Sequence, residues 1–116
     1  MNITLVIPDE TVEKIVRAIM DNHPEAGMTL KCRGWDYKKM EFEFVDTEDG
    51  KTYDLDKAKL IAAFPLLFDP TKWPKGLTQP PFSANWEDWD NWLCQSDAFD
   101  FDAFAQLAAF GEVIYG

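Results

Sequence analysis

After Lys75 the chain has no lysine, arginine or histidine. Residues 76–116 carry 7 acidic side chains and no basic one, net −7, whereas residues 1–75 carry 14 acidic and 11 basic, net −3. A net charge of −10 without cationic clusters leaves nothing to hold phosphates, which excludes direct binding to nucleic acid or to an anionic membrane. The partners this charge admits are basic or neutral.

Histidine and cysteine are scarce. His23 is the only histidine and precedes Pro24. One imidazole with no second ligand nearby supports neither a metal site nor a general base, and we read it as a solvent-exposed loop residue. Cys32 and Cys94 fit no zinc or C-x-x-C spacing, and we read both as reduced thiols. Long apolar runs are missing too. The longest, "LIAAFPLLF", is half of what a spanning helix needs. "MNITLVIPDE" lacks the charged start and apolar run of a signal peptide, so we place the protein in the cytoplasm.

Catalytic signatures are absent in the same way. Ser83 and Ser96 sit in no G-x-S-x-G and look like helix caps. "DTEDGKTYDLD" suggests a calcium loop, but aligning Gly50 with the required glycine puts Val45 at the first ligand position, and the pattern fails. Asp97 with Asp100, or Asp88 with Asp90, are carboxylate pairs of the kind acid–base chemistry uses. Nothing marks one member as desolvated and the other as ionised. We therefore read no catalytic residue, no metal and no cofactor.

What is present is an apolar framework. Apolar residues at 47% and aromatics at 15% exclude disorder, and 116 residues fit one globular domain, 1–116. Residues 2–7, "NITLVI", read as a strand ended by Pro8. Asp9 then caps a helix whose Val12, Ile15, Val16, Ile19 and Met20 form one buried face, stopping near Asn22 at "HPEAG". "MTLKCRG" and "MEFEF" alternate apolar Met28, Leu30, Cys32 and Met40, Phe42, Phe44 with charged residues, which predicts two paired strands opposing unlike charges. Asp49-Gly50 turns into a third strand around Lys51–Tyr53. A second helix follows from a cap at Asp54 and ends or kinks at Pro65.

Residues 69–82, "DPTKWPKGLTQPPF", read as an ordered loop pinned by Trp73 and Phe82, its prolines serving rigidity. Beyond it, Trp86, Trp89 and Leu93 share a helical face with Trp92 adjacent, capped by Ser83 or Asn85. A last helix runs from Asp97 or Asp100 to Phe110, with Phe101, Phe104, Ala105 and Ala108 inward and Gly111 as its stop. The fold class is α+β: a short antiparallel meander of three to four strands packed with about four helices, the C-terminal third helical.

With the apolar faces of the late helices buried, Glu87, Asp88, Asp90, Asp97, Asp100, Asp102 and Glu112 turn toward solvent. Helical neighbours at i, i+3 stand ~5–6 Å apart, comparable with one phosphate per ~3.4 Å of each DNA strand. Rigidly held carboxylates at that spacing imitate part of a nucleic-acid backbone and fit a groove built for one. The alternative is an interaction or scaffold domain whose charge serves only solubility.

The C-terminal run "FDAFAQLAAFGEVIYG", through Gln106, Leu107, Phe110, Gly111, Glu112, Tyr115 and Gly116, resembles the ending of small uncharacterised acidic proteins of bacteriophages, plasmids and other bacterial mobile elements. Proteins of that source include inhibitors of CRISPR–Cas and restriction systems that act as nucleic-acid mimics. The resemblance implies a partner among basic nucleic-acid-binding defence effectors in the cytoplasm of a bacterial host cell. It carries over no residue role.

Overall fold

A computed structural model describes residues 4–26 and 29–115, with residues 24–26 described by their backbone alone. Pro8 starts the first helix: its carbonyl accepts the Thr11 and Val12 N–H groups at 2.9 and 3.0 Å, and α1 spans Asp9–Ala26. Ile15, Val16, Ile19 and Met20 are fully buried along one stripe. Contrary to the sequence reading, α1 continues past Asn22 through "HPEA". His23 lies at i+4 from Ile19 and i+3 from Met20, so the buried stripe runs on by a further turn. The imidazole is fully buried rather than exposed in a loop.

The predicted N-terminal strand does not form among the described residues. Thr4–Ile7 pairs with no other strand, although Ile7 packs on the core and Val6 is exposed. Met28 lies outside the described residues. The sheet is an antiparallel meander of three strands in the order β1 (Leu30–Asp36), β2 (Glu41–Asp46), β3 (Thr52–Leu55). Cys32 pairs with Phe44, and after a register shift between Cys32 and Gly34 β1 stays paired with β2 as far as Asp36, with Trp35 53% exposed. Gly50 takes φ 77° in the β2–β3 turn and donates its N–H to the Asp46 carbonyl at 2.8 Å, a geometry that favours glycine.

β3 extends to Leu55, beyond the predicted end at Tyr53, and this moves the next cap. Asp56, not Asp54, accepts the Lys59 N–H at 2.9 Å and starts α2 (Lys57–Ala63). Pro65 tightens the chain into a 3-10 turn over Phe64–Phe68. The proline-rich loop is pinned by buried Trp73, whose indole donates to the Thr78 carbonyl at 3.1 Å. Phe82 takes no part, being 62% exposed. Its role falls to Trp92, which donates to the same Thr78 carbonyl at 3.1 Å, and to Trp89, which donates to the Ser83 carbonyl at 2.8 Å.

α3 (Trp86–Gln95) is capped by Asn85, whose side chain accepts the Glu87 N–H at 3.0 Å. α4 (Ala98–Phe110) starts with a reciprocal capping box between Asp97 and Asp100 and stops at Gly111, which takes φ 77°. Its surroundings differ from those of the surface helix the sequence suggested. It packs against α1, α2, β1 and β3, and every residue from Asp100 to Leu107 is buried. A helix apolar nearly all round belongs inside. One cluster joins Ile15, Phe44, Leu60, Trp89 and Phe104 across both the sheet side and the helical side. No helix among the described residues is long and apolar enough to cross a membrane.

Candidate acidic interface

The seven carboxylates predicted to form one face divide into two groups. Glu87, Asp88 and Asp90 on α3 are exposed, as are Asp97 and Glu112 at the two ends of α4. Asp100 and Asp102 are buried, 2% and 4% exposed, and are withdrawn from the solvent face.

α3 separates its chemistry by angle. At ~100° per residue, Trp92, Trp89, Leu93 and Trp86 fall within an arc of ~120°, while Asp90, Glu87 and Asp88 fall within ~160° on the other side. Trp89 and Trp92 are buried, and Trp86 and Leu93 are half-buried. Trp89 stacks edge-on against Phe68 and Trp92. The tryptophans hold the helix rigid, and the carboxylates are presented outward from it. The Ser83 hydroxyl donates to Asp88 at 2.6 Å and fixes one of them. At the start of α3, Lys14 of α1 lies 4.1 Å from the Trp86 ring centre.

Asp102 works as a structural acceptor. One oxygen accepts the Thr29 and Leu30 N–H groups at 3.0 and 3.1 Å, and the other accepts the Gln106 amide at 2.8 Å. Gln106 in turn ties down the C-terminal segment, its carbonyl accepting the Ile114 and Tyr115 N–H groups, both at 2.9 Å. The Tyr115 hydroxyl donates to buried Asp46 at 2.9 Å, which pushes the phenol up to about 12. Asp100 performs the same task for the proline-rich loop. It accepts the Thr78 N–H at 2.8 Å, the Thr78 hydroxyl at 2.7 Å and the Asp97 N–H at 2.9 Å. Three charge-assisted bonds each offset the several kcal/mol that burial of a carboxylate costs.

His23 has no hydrogen-bond partner on either ring nitrogen among the described residues and meets Phe44 edge-on at 4.5 Å. Burial drives its pKa down to about 4, although the nearby Asp102 carboxylate pulls the other way. It is neutral at pH 7. The described residues contain no group of three or more His, Cys, Asp or Glu able to hold a metal ion. Both cysteines are free thiols, Cys32 half-buried and Cys94 exposed.

A second acidic region escaped the sequence reading. Asp36, Glu41, Glu43, Asp54 and Asp56, with Lys59 among them, surround an open depression of about 480 Å³ where Gly34 leaves the sheet bare. Glu43 stands directly across from Asp54, a like-charge pairing that destabilises a sheet. Arg33 relieves it by binding Glu43 at 2.8 Å, the cross-strand pairing of unlike charges that the alternation predicted. The signal was present in "EFEF" and "DLD", whose acids stand at every second residue and so turn to the same face.

Protein-family models, curated proteins and solved structures give no match to this chain.

Proposed function

We propose that the chain is a non-enzymatic inhibitor that offers an acidic surface in place of nucleic acid to the basic groove of a bacterial defence complex, of CRISPR–Cas or restriction type. It would be encoded by a phage or mobile element and act in the cytoplasm of the bacterial host. One observation carries the reading. Five of the seven carboxylates after Lys75 are exposed with no basic residue in that segment, and three of them share one side of a helix anchored by buried tryptophans. Rigid placement matters, because a mimic must match charge spacing without paying entropy to order its side chains on binding. Association is steered by charge and weakens as salt screens it.

The test is affinity capture from bacterial lysate at low salt, elution by a salt step, and nucleic-acid binding by the eluted protein with and without this chain. Displacement of nucleic acid supports inhibition by mimicry. A captured partner with no basic groove overturns it.

The acidic depression on the sheet favours a second reading. Carboxylates around Gly34 as well as on α3 are what a protein charged for solubility carries, and a scaffold or interaction domain is the function that then remains.

A further inference from the structure

The two buried carboxylates border a cavity that neither capping nor loop anchoring requires. It measures about 380 Å³ and opens between the proline-rich loop and the first turns of α4. That volume lies in the ~300–1,000 Å³ range of small-ligand sites. None of Glu87, Asp88 or Asp90 lines it, so its chemistry is independent of the proposed α3 interface.

Its lining has two halves. Leu77, Phe99 and Val113 supply apolar wall, and Asp97, Asp100 and Asp102 supply carboxylate. Phe99 is 54% exposed, immediately ahead of eight consecutive buried residues, and therefore presents its ring at the cavity rather than to the core. Asp100 and Asp102 are more than nine-tenths buried, and neither has a cation within ion-pair distance among the described residues. Each accepts three hydrogen bonds, whereas an ionised carboxylate offers about four acceptor positions. Each thus keeps acceptor capacity after its structural bonds are made. Carboxylates around a concave wall of low polarity concentrate negative potential inside it.

We infer that this cavity is a binding site for an organic cation carried on an apolar stem, a guanidinium or ammonium group of the kind found at the end of an arginine or lysine side chain or on a free alkylamine. The charged head meets Asp97, Asp100 and Asp102. The stem lies along Leu77 and Val113 with the Phe99 ring against it. An anion is repelled by all three carboxylates, and a neutral ligand brings no charge to the acceptor positions that their structural hydrogen bonds leave open.

The experiment is a titration of the full chain, labelled with ¹⁵N, with N-butylguanidinium and with its neutral isostere N-butylurea. The amides of Thr29, Leu30 and Thr78 report directly, because their N–H groups are bonded to Asp102 and Asp100. Saturable shifts at these three amides with butylguanidinium, weakened by salt and absent with butylurea, are expected. Phe99→Ala, at an exposed position, keeps the fold and weakens binding roughly two- to fivefold by removing the apolar wall on which the stem packs. A capped Leu-Arg-Leu tripeptide distinguishes the sources: tenfold tighter binding than butylguanidinium assigns the site to a polypeptide side chain, and equal binding assigns it to a free amine. Equal responses to butylurea and butylguanidinium overturn the inference. So do shifts at Glu87, Asp88 and Asp90 as large as those at Thr29, Leu30 and Thr78, since these mark diffuse attraction to acid.

Discussion

The carboxylate of Asp102 accepts the backbone N–H of Leu30 at 3.1 Å, joining positions 72 residues apart in the chain. The contact fixes the start of β1 against the central helix and satisfies donors that burial would otherwise leave without partners. Truncation leaves the buried Leu30 N–H and the half-buried Thr29 N–H without their acceptor, and the Gln106 amide keeps only its bond to the Tyr115 carbonyl. Asp102→Ala should therefore cost roughly 3 kcal/mol of stability, whereas Asp90→Ala, on the exposed side of α3, should stay within ~0.5 kcal/mol. Urea unfolding of the two variants measures the difference, and equal losses would contradict the division into buried and exposed acids.

Asp100 makes the equivalent prediction for the loop. Thr78 is held by Asp100, and its carbonyl collects the indole N–H groups of Trp73 and Trp92. Asp100→Ala should release the loop, shift tryptophan emission to longer wavelength and admit a protease at residues 74–80 under native conditions. Unchanged emission and unchanged cleavage would show that the tryptophans hold the loop without the carboxylate.

His23 gives the pH dependence at the acid end. Its folded-state pKa, about 4, lies below the ordinary 6.5, so the unfolded chain binds the proton more readily between those values. The stability from the neutral buried ring is complete above pH 6.5 and is lost as pH falls toward 4. The loss totals about 3 kcal/mol, at about 1.4 kcal/mol per pH unit in mid-window. His23→Leu should flatten the part of the pH–stability curve that belongs to this residue, as read by urea midpoints from pH 7 to 5. Parallel curves for wild type and variant would contradict the assignment.

Tyr115 reports at the alkaline end. Its hydrogen bond to Asp46 favours the protonated phenol and raises its pKa to about 12. The contribution is complete below pH 10 and is lost as pH rises through about 12. Tyr115→Phe should abolish that dependence and speed amide exchange at Ile114 and Tyr115, whose N–H groups rest on Gln106. Absorbance at 295 nm against pH follows the phenol directly.

Much of this architecture was legible because it rests on periodicity. The stripe Ile15, Val16, Ile19, Met20 and the alternation Met40, Phe42, Phe44 admit few other folds, and the stops at Pro65 and Gly111 follow from backbone chemistry. The acids of α4 do not form the polar side of an amphipathic helix, since Asp100 and Asp102 are both buried. Asp100 and Asp102 are two residues apart, ~200° around a helix, so they cannot share one solvent face. That spacing was visible in "FDFD" and pointed to a helix surrounded on all sides. The proline and glycine of "HPEAG" point to a stop near Asn22, whereas the buried stripe carries α1 on to Ala26 and takes His23 inside. Placing Asp36, Glu41, Glu43, Asp54 and Asp56 around one depression required the strand register, which the sequence does not contain.

The exposed carboxylates of α3 are proposed to replace nucleic acid at a basic groove. The most direct measurement is competition: displacement of labelled nucleic acid from the captured partner by wild-type protein and by a triple variant carrying Glu87→Lys, Asp88→Lys and Asp90→Lys, at low and at raised salt. Displacement by wild type that weakens with salt is expected, and none by the triple variant, which urea unfolding should show to be folded but less stable, since it loses the Ser83–Asp88 bond and two first-turn acids. Equal displacement by both proteins would contradict the proposal.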